Sequence, residues 1–302
     1  MLKRIFTTLL FAYVSLHFFE LKAQPDLNTQ KVDRNVVFGM YSGLALVMDI
    51  YYPENPNGYG IVHISGSGWT KPLSLDAQML NHQSHIKYEG QALLDAGYTL
   101  FGINHRAVPR FIYPAAVEDA QRAVRFIRFN AEKYGIKADR IGAVGGSSGG
   151  HLVSMLGTLN GDEFLDDDTP VNRMSAKVQT VIARAAPSDF TTESRVGESF
   201  ISVSGQPKQD STTEEFKRAK EASPITYVSA DDAPILLVHG DQDNIVPISL
   251  SEDFQNKFKA ANVPCELIVV EGAGHGPSFP GATNMPDLGA EYVKWMDKYL
   301  KK

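Results

Sequence analysis

One cysteine, Cys265, stands in 302 residues, so no disulfide can form within the chain. A thiol at the head of an apolar run also excludes a lipid anchor, which requires cysteine at a cleavage site, and reads instead as a small buried hydrophobe. Basic clusters are equally scarce. With 29 Lys and Arg against 35 Asp and Glu, the formal charge is −6, and the electrostatic footprint of a nucleic-acid binder is missing. Internal repeats, low-complexity tracts and a dividing linker are absent too. Beyond the N-terminus no run approaches the roughly 20 apolar residues of a membrane span. What remains is an ordinary globular composition, 43% hydrophobic and 21% charged, long enough for one large core.

The first residues differ in kind. Lys3-Arg4, the apolar stretch Ile5 to Phe19 and the exit Leu21-Lys22-Ala23 predict a cleaved secretory signal over 1–23, with an uncleaved anchor as the alternative because histidine, serine and glutamate stand near the end of the apolar stretch. A secreted or periplasmic protein, without stable membrane insertion after cleavage, is the expectation. Cleavage removes Lys3, Arg4 and Lys22 against Glu20, taking the charge from −6 to −8. Residues 24–34 are polar and read as a flexible lead, and 35–302 as one domain.

Within that domain β-type and helix-type patterns alternate. Two β-rich runs, 36–40 and 44–52, flank a turn at Tyr41-Ser42-Gly43. Strands are predicted at 61–64, 98–104, 140–144, 178–185, 234–238 and 265–270. Helices are predicted at 88–96, 114–134, from 151 onward, and at 213–221, 250–261 and 288–299. The clearest is 114–134, where Val117, Ala120, Ala123, Val124 and Ile127 recur at helical spacing behind a proline. Alternation of this kind predicts an α/β fold: a mostly parallel central sheet, helices on both faces, and an antiparallel N-terminal edge.

Where the strand at 140–144 meets the next helix, the chain reads Gly145-Gly-Ser-Ser-Gly-Gly150. Strand, G-x-S-x-G, helix is the pattern of a nucleophile elbow. A serine on so tight a turn needs glycine two residues to either side, because side chains there would collide. The glycines allow two registers, centred on Ser147 or Ser148, and local sterics do not choose between them. The motif alone recurs by chance, so the remainder of the chain must supply context. An acid and a histidine follow in the order such hydrolases use, each just past a strand: His239-Gly-Asp-Gln-Asp243 and Glu271-Gly-Ala-Gly-His275-Gly276. Carboxyl ends of parallel strands are where open sheets place ligands. Ser147, Asp243 and His275 are therefore the expected nucleophile, acid and base of a serine hydrolase.

Beyond the triad, Ser65-Gly-Ser-Gly-Trp69, Asn104-His-Arg106, Pro114-Ala-Ala-Val-Glu-Asp119, Gly145 to Leu152 and His239 to Pro247 carry a resemblance. Together they resemble the esterase/lipase branch of alpha/beta hydrolases related to hormone-sensitive lipase, especially its bacterial acetyl xylan and feruloyl esterase-like group. The likeness runs over most of 36–300. It implies the alpha/beta hydrolase fold, favours Ser147 as nucleophile and Asp243 over Asp241 as acid, and makes His239 structural. It further implies oxyanion donors at the backbone N–H groups of Ser67, Gly68 and Ser148, and hydrolysis of short acyl or aryl esters, plausibly acetyl or feruloyl groups on polysaccharide, with no metal or organic cofactor. Ser65 stands where the family has histidine, Ser67 where it has glycine and His105 where it has tyrosine. Residues 70–87 form a longer polar insertion. A peptidase or amidase on the same fold, or a non-catalytic carbohydrate-binding relative, are the competing readings.

Several other residues invite roles. Trp69, Tyr113, Phe190 and Phe279 are candidate pocket walls, each weighed evenly against ordinary packing. His82 and His85 lack an evident carboxylate partner and read as solvated loop rather than metal ligands. Asp166-Asp-Asp168 reads as solvated, His151 as a packing residue, and Glu118 and Asp119 as charge partners of Arg122 or Arg106.

Overall fold

The computed structural model describes residues 27–192, 196–201 and 210–302. The expected signal segment, 1–23, lies outside them. Eight strands form one sheet: β1 (Lys31–Tyr41), β2 (Leu44–Tyr52), β3 (Gly60–Ile64), β4 (Thr99–Ile103), β5 (Ile141–Gly146), β6 (Thr180–Arg184), β7 (Ile235–Gly240) and β8 (Cys265–Val270). Their spatial order is β1-β2-β4-β3-β5-β6-β7-β8. The pairs β1–β2 and β2–β4 are antiparallel, and every later pair is parallel. Six α-helices complete the domain: α1 (His85–Asp95), α2 (Ala115–Phe129), α3 (Ser148–Thr158), α4 (Glu214–Ala222), α5 (Ser249–Ala260) and α6 (Leu288–Leu300). Among the described residues no helix is long and apolar enough to cross a membrane.

Side-chain alternation along the buried strands divides the core in two. Ala143 of β5 joins the cluster under α2, α3 and α5, with Val124, Leu152 and Phe258. Its neighbour Val144 joins the opposite cluster under α1 and α6, with Leu93 and Trp295. Strands buried on both faces read as unbroken apolar runs, which is why β3, β4 and β5 were legible from sequence.

Several boundaries shift by a few residues, and two of them change the reading. Residues 31–34, expected within a flexible lead, open β1, and Leu27 is already buried. Their polarity is that of an edge strand exposed along much of its length, not of a loose segment. The helix expected to reach Tyr134 stops at Phe129; Asn130 closes it, and 131–135 continue as turns.

The path of the chain around β3 matters for the site. From β3 it steps outward to β4, then crosses to β5 on the other side of β3. Such a switch point leaves a crevice at the carboxyl ends of the two strands. The loops after β3 and β5 meet there.

Candidate active site

At the end of β5 the backbone of Ser147 takes φ 54°, ψ −123°, and α3 begins one residue later. That conformation costs a non-glycine residue on the order of 1–3 kcal/mol, so the surroundings must hold it. The Ser147 N–H donates to the Arg184 carbonyl at 2.7 Å, and the His151 N–H donates to the Ser147 carbonyl at 2.9 Å. A side chain at Gly145 would put its Cβ 2.7 Å from the Ile64 oxygen and from the Gly149 carbonyl. The glycine therefore lets β3, β5 and α3 close on one another.

The strained residue faces a histidine. His275 Nε2 lies 2.9 Å from Ser147 Oγ, and His275 Nδ1 lies 2.7 Å from Asp243 Oδ2. With Asp243 accepting from Nδ1–H, the Nε2 lone pair is left for the serine hydroxyl. The Asp243 side chain is shielded from solvent, and its other oxygen accepts the N–H groups of Ile245 and Val246, both at 2.9 Å. Burial alone would raise its pKa. Hydrogen bonds from His239, His275 and those two amides outweigh burial and hold the carboxyl well below the usual range. His239 Nε2–H donates to the Val246 carbonyl, while Nδ1 meets Ser251 Oγ at 2.7 Å. The competing acid, Asp241, accepts the Gly272 N–H at 2.8 Å and holds loop to loop.

Opposite this series lies the loop after β3. Gly68 has φ +63°, in the left-handed region that favours glycine. Ser67 stands differently from expectation. Its N–H donates to Ser148 Oγ at 2.8 Å, so one expected oxyanion donor is already engaged by the second elbow serine. No protein acceptor among the described residues takes the N–H groups of Gly68 and Ser148. Ser148 opens α3, where helix geometry leaves N–H groups unpaired and favours negative charge. The hydroxyls of Ser65 and Ser67 are buried there without a partner among the described residues.

Beneath both sides runs an ionic network that the sequence reading missed. Glu89 of α1 accepts from Arg184 Nε at 2.8 Å and from His63 Nε2 at 2.9 Å, all three side chains being buried. Arg184 also donates to the Gly276 carbonyl at 3.0 Å and to His85 Nδ1 at 3.0 Å. That same His85 nitrogen accepts the Gly66 N–H at 3.3 Å. One residue, Arg184, thus ties the histidine loop and, through His85, the loop after β3 by its guanidinium, and the elbow by its backbone carbonyl. Burial would raise the Glu89 pKa, but Arg184, His63 and His85 hold it well below the carboxylate range. Burial lowers the His63 pKa, so the pair at the centre is Glu89⁻ and Arg184⁺. The missed signal was a charged residue inside an apolar pattern: Glu89 on the buried stripe of α1, Arg184 at the end of an apolar strand.

His85 therefore belongs to the site rather than to a solvated loop, and His82 Nε2 meets Asp49 at 3.2 Å. Arg106 binds Asp119 at 2.9 Å and Glu118 at 2.8 Å. The four proposed pocket walls separate. Trp69 stacks on Phe200 at 4.8 Å and meets Phe190 edge-on at 5.6 Å. Its Nε1–H donates to His151 Nδ1 at 3.2 Å, and the other nitrogen of that ring donates to the Ala222 carbonyl. Half-buried Tyr113 joins edge-on through Phe200 at 5.9 Å. Phe279 sits with the α1/α6 cluster, its ring 5.6 Å from the Arg184 guanidinium. Trp69, Phe190 and Phe279 are almost wholly buried, so packing claims most of their surface.

Comparison with known proteins places the chain among esterases. A family model, BD-FAE, matches residues 48–258. The probable carboxylic ester hydrolase LipM of Mycobacterium tuberculosis is 27% identical over 242 residues, 75% of this chain and 52% of that protein. The acetylxylan esterase of Xylanibacter ruminicola is 24% identical over 241 residues, 77% of this chain and 44% of its own length. The chain thus spans about half the length of these curated relatives. Among solved structures, a truncated carbohydrate esterase from gut microbiota superposes with TM-score 0.72 and 28% identity, covering 89% of this chain and 97% of its own.

Proposed function

This chain belongs to the BD-FAE family, and from that premise we propose that it is a serine carboxylic ester hydrolase with Ser147 as nucleophile, His275 as general base and Asp243 as the orienting acid. The observation that carries the reading is the unbroken hydrogen-bond series from buried Asp243 through His275 to a serine held at positive φ. In the reaction Ser147 Oγ attacks the ester carbonyl while Nε2 takes its proton. The imidazolium formed is stabilised by Asp243 and returns the proton to the leaving alkoxide. Water then adds to the acyl-enzyme through the same groups. Amides of Gly68 and Ser148 stabilise the tetrahedral oxyanion, each donor worth about 3–4 kcal/mol. The Ser67 amide joins them once Ser148 Oγ releases it.

Short acyl esters carried on polysaccharide, acetyl first and feruloyl second, are the substrate class this reading favours. Its support is the acetylxylan esterase and carbohydrate esterase among the similar proteins. The proposal includes export to the periplasm or medium, and its support is the signal-like sequence of residues 1–23.

Ser147→Ala tests the assignment. Hydrolysis of 4-nitrophenyl acetate and release of acetate from acetylated xylan should fall by roughly 10⁵-fold or more, with the melting temperature preserved. Ser148→Ala should stay within about tenfold of the parent, because its backbone N–H, the group worth most to the transition state, survives. A reversal of the two outcomes would place the nucleophile at 148. Cleavage of an aminoacyl anilide in preference to the esters would replace ester hydrolysis by peptidase chemistry.

A further inference from the structure

A second concavity lies beside the loop after β3. A cleft of about 1050 Å³ opens between the β1–β2 hairpin, the segment following Trp69 and the loop after β4. Leu73 and Leu75 stand at its wall 73% and 104% exposed, with Leu44 and Phe111 alongside. Apolar side chains gathered so openly mark a binding surface rather than the scatter normal for a protein exterior.

The charge of this cleft opposes that of the chain. The formal charge of the whole is −6, yet among the described residues no aspartate or glutamate lines the cleft, while Lys71, Arg106 and Arg110 do. Arg106 is neutralised by Asp119 and Glu118. Lys71 and Arg110 form no ion pair among the described residues. Lys71 is half-buried, and burial lowers its pKa with no carboxylate to offset the lost water. Its backbone is fixed: the Lys71 N–H donates to the Val108 carbonyl, and the Val108 N–H to the Trp69 carbonyl, both at 2.9 Å. A cation held half-dry beside leucines is unfavourable until a counter-anion meets it.

We propose that this cleft binds an amphipathic carboxylate, its aryl or alkyl body on Leu73, Leu75 and Phe111 and its carboxylate on Lys71 and Arg110. A neutral ligand would leave the ammonium unmatched, and a polyanion would meet only two cations without a carboxylate partner, Lys71 and an Arg110 whose guanidinium lies 5.6 Å from the Phe111 ring. The site needs no bond-breaking chemistry and stands apart from the role assigned to Ser147.

Calorimetric titration of the full chain with 3-phenylpropionate, and with the uncharged 3-phenylpropan-1-ol, tests it without any turnover. The carboxylate should bind at least about tenfold more tightly than the alcohol, the size expected for contacts to a charged group. Lys71→Met should erase that preference and Lys71→Arg should retain it. Leu75→Glu, at a fully exposed position, should abolish binding while the melting temperature stays unchanged. Equal binding of acid and alcohol, or undiminished carboxylate binding by Lys71→Met or Leu75→Glu, overturns the proposal. An inactive parent protein that still binds the carboxylate would sink the ester reading and leave this one standing.

Discussion

Ser147, Asp243 and His275 stand on short loops leaving β5, β7 and β8, whereas residues 65–69 opposite them are held by side chains reaching from α1, α3 and β6. The first side is organised locally. Glycine permits the elbow, two amides within three residues of Asp243 hold its carboxylate, and strand ends deliver each group to one edge. The second side is organised at a distance. Gly66 depends on His85, Ser67 on Ser148, and both loops depend on an Arg184–Glu89 pair separated by 95 residues. Local geometry survives most changes elsewhere; a buried ion network fails as a unit.

That contrast can be broken most forcefully at the acid. Asp243→Asn should lower kcat by roughly 10⁴-fold, because the amide enforces the wrong histidine tautomer. Asp241→Asn, which disturbs one bond to the Gly272 N–H, should cost far less, and steady-state kinetics on one ester would compare them directly. Equal losses would show that the two aspartates share the role.

On the other side Gly68 gives the next largest effect. Gly68→Val must leave the left-handed region, turning the amide away, and kcat should fall about a hundredfold with KM nearly constant. Ser67→Gly keeps its N–H and should be tolerated. A Gly68→Val enzyme with ordinary kcat would reduce this loop to a structural turn.

Arg184→Lys isolates the network. Lysine keeps the charge, avoiding the roughly 3–5 kcal/mol penalty of an unpaired buried Glu89, but cannot reach Glu89, His85 and Gly276 together. Misplacing both loops slightly should lower kcat about tenfold with little change in KM. If only the melting temperature moved, the network would support the fold and not the site.

The last comparison concerns pH and stability rather than rate. Burial lowers the His151 pKa to about 4, against about 6.5 in an unfolded chain. Between those values the unfolded state binds more protons, so stability is fully present above about pH 6.5 and declines towards pH 4, by roughly 3 kcal/mol for this group. His63 and His105 are lowered in the same direction. Thermal melts at pH 7.5 and 4.5 should show the decline, and His151→Gln should shallow it. An unchanged slope in that variant would remove His151 from the account.

Periodicity and punctuation made much of the fold legible. Unbroken apolar runs marked the buried parallel strands, and Gly145-Gly-Ser-Ser-Gly-Gly150 marked the turn into α3. Edges were harder. The start of β1 reads as polar because one edge strand shows much of its surface to water. Tyr134 extends the helical spacing of α2 although Asn130 has already ended that helix. Trp69 and Phe190 looked like pocket walls because loops near strand ends carry ligand contacts, yet their rings bury one another around Phe200.

By itself, then, the sequence marked the succession of strands and helices, the elbow, and the two strand-end loops that carry an acid and a histidine, because each rests on patterns within a few residues or on a period of two or 3.6. Tertiary structure set Ser147, the serine that the resemblance favours, against His275, and it alone decided which amides remain open there and why Glu89 and Arg184 are tolerated inside the core. Those outcomes depend on partners brought together from distant segments, and a charge placed in an apolar stripe announces only that a partner exists.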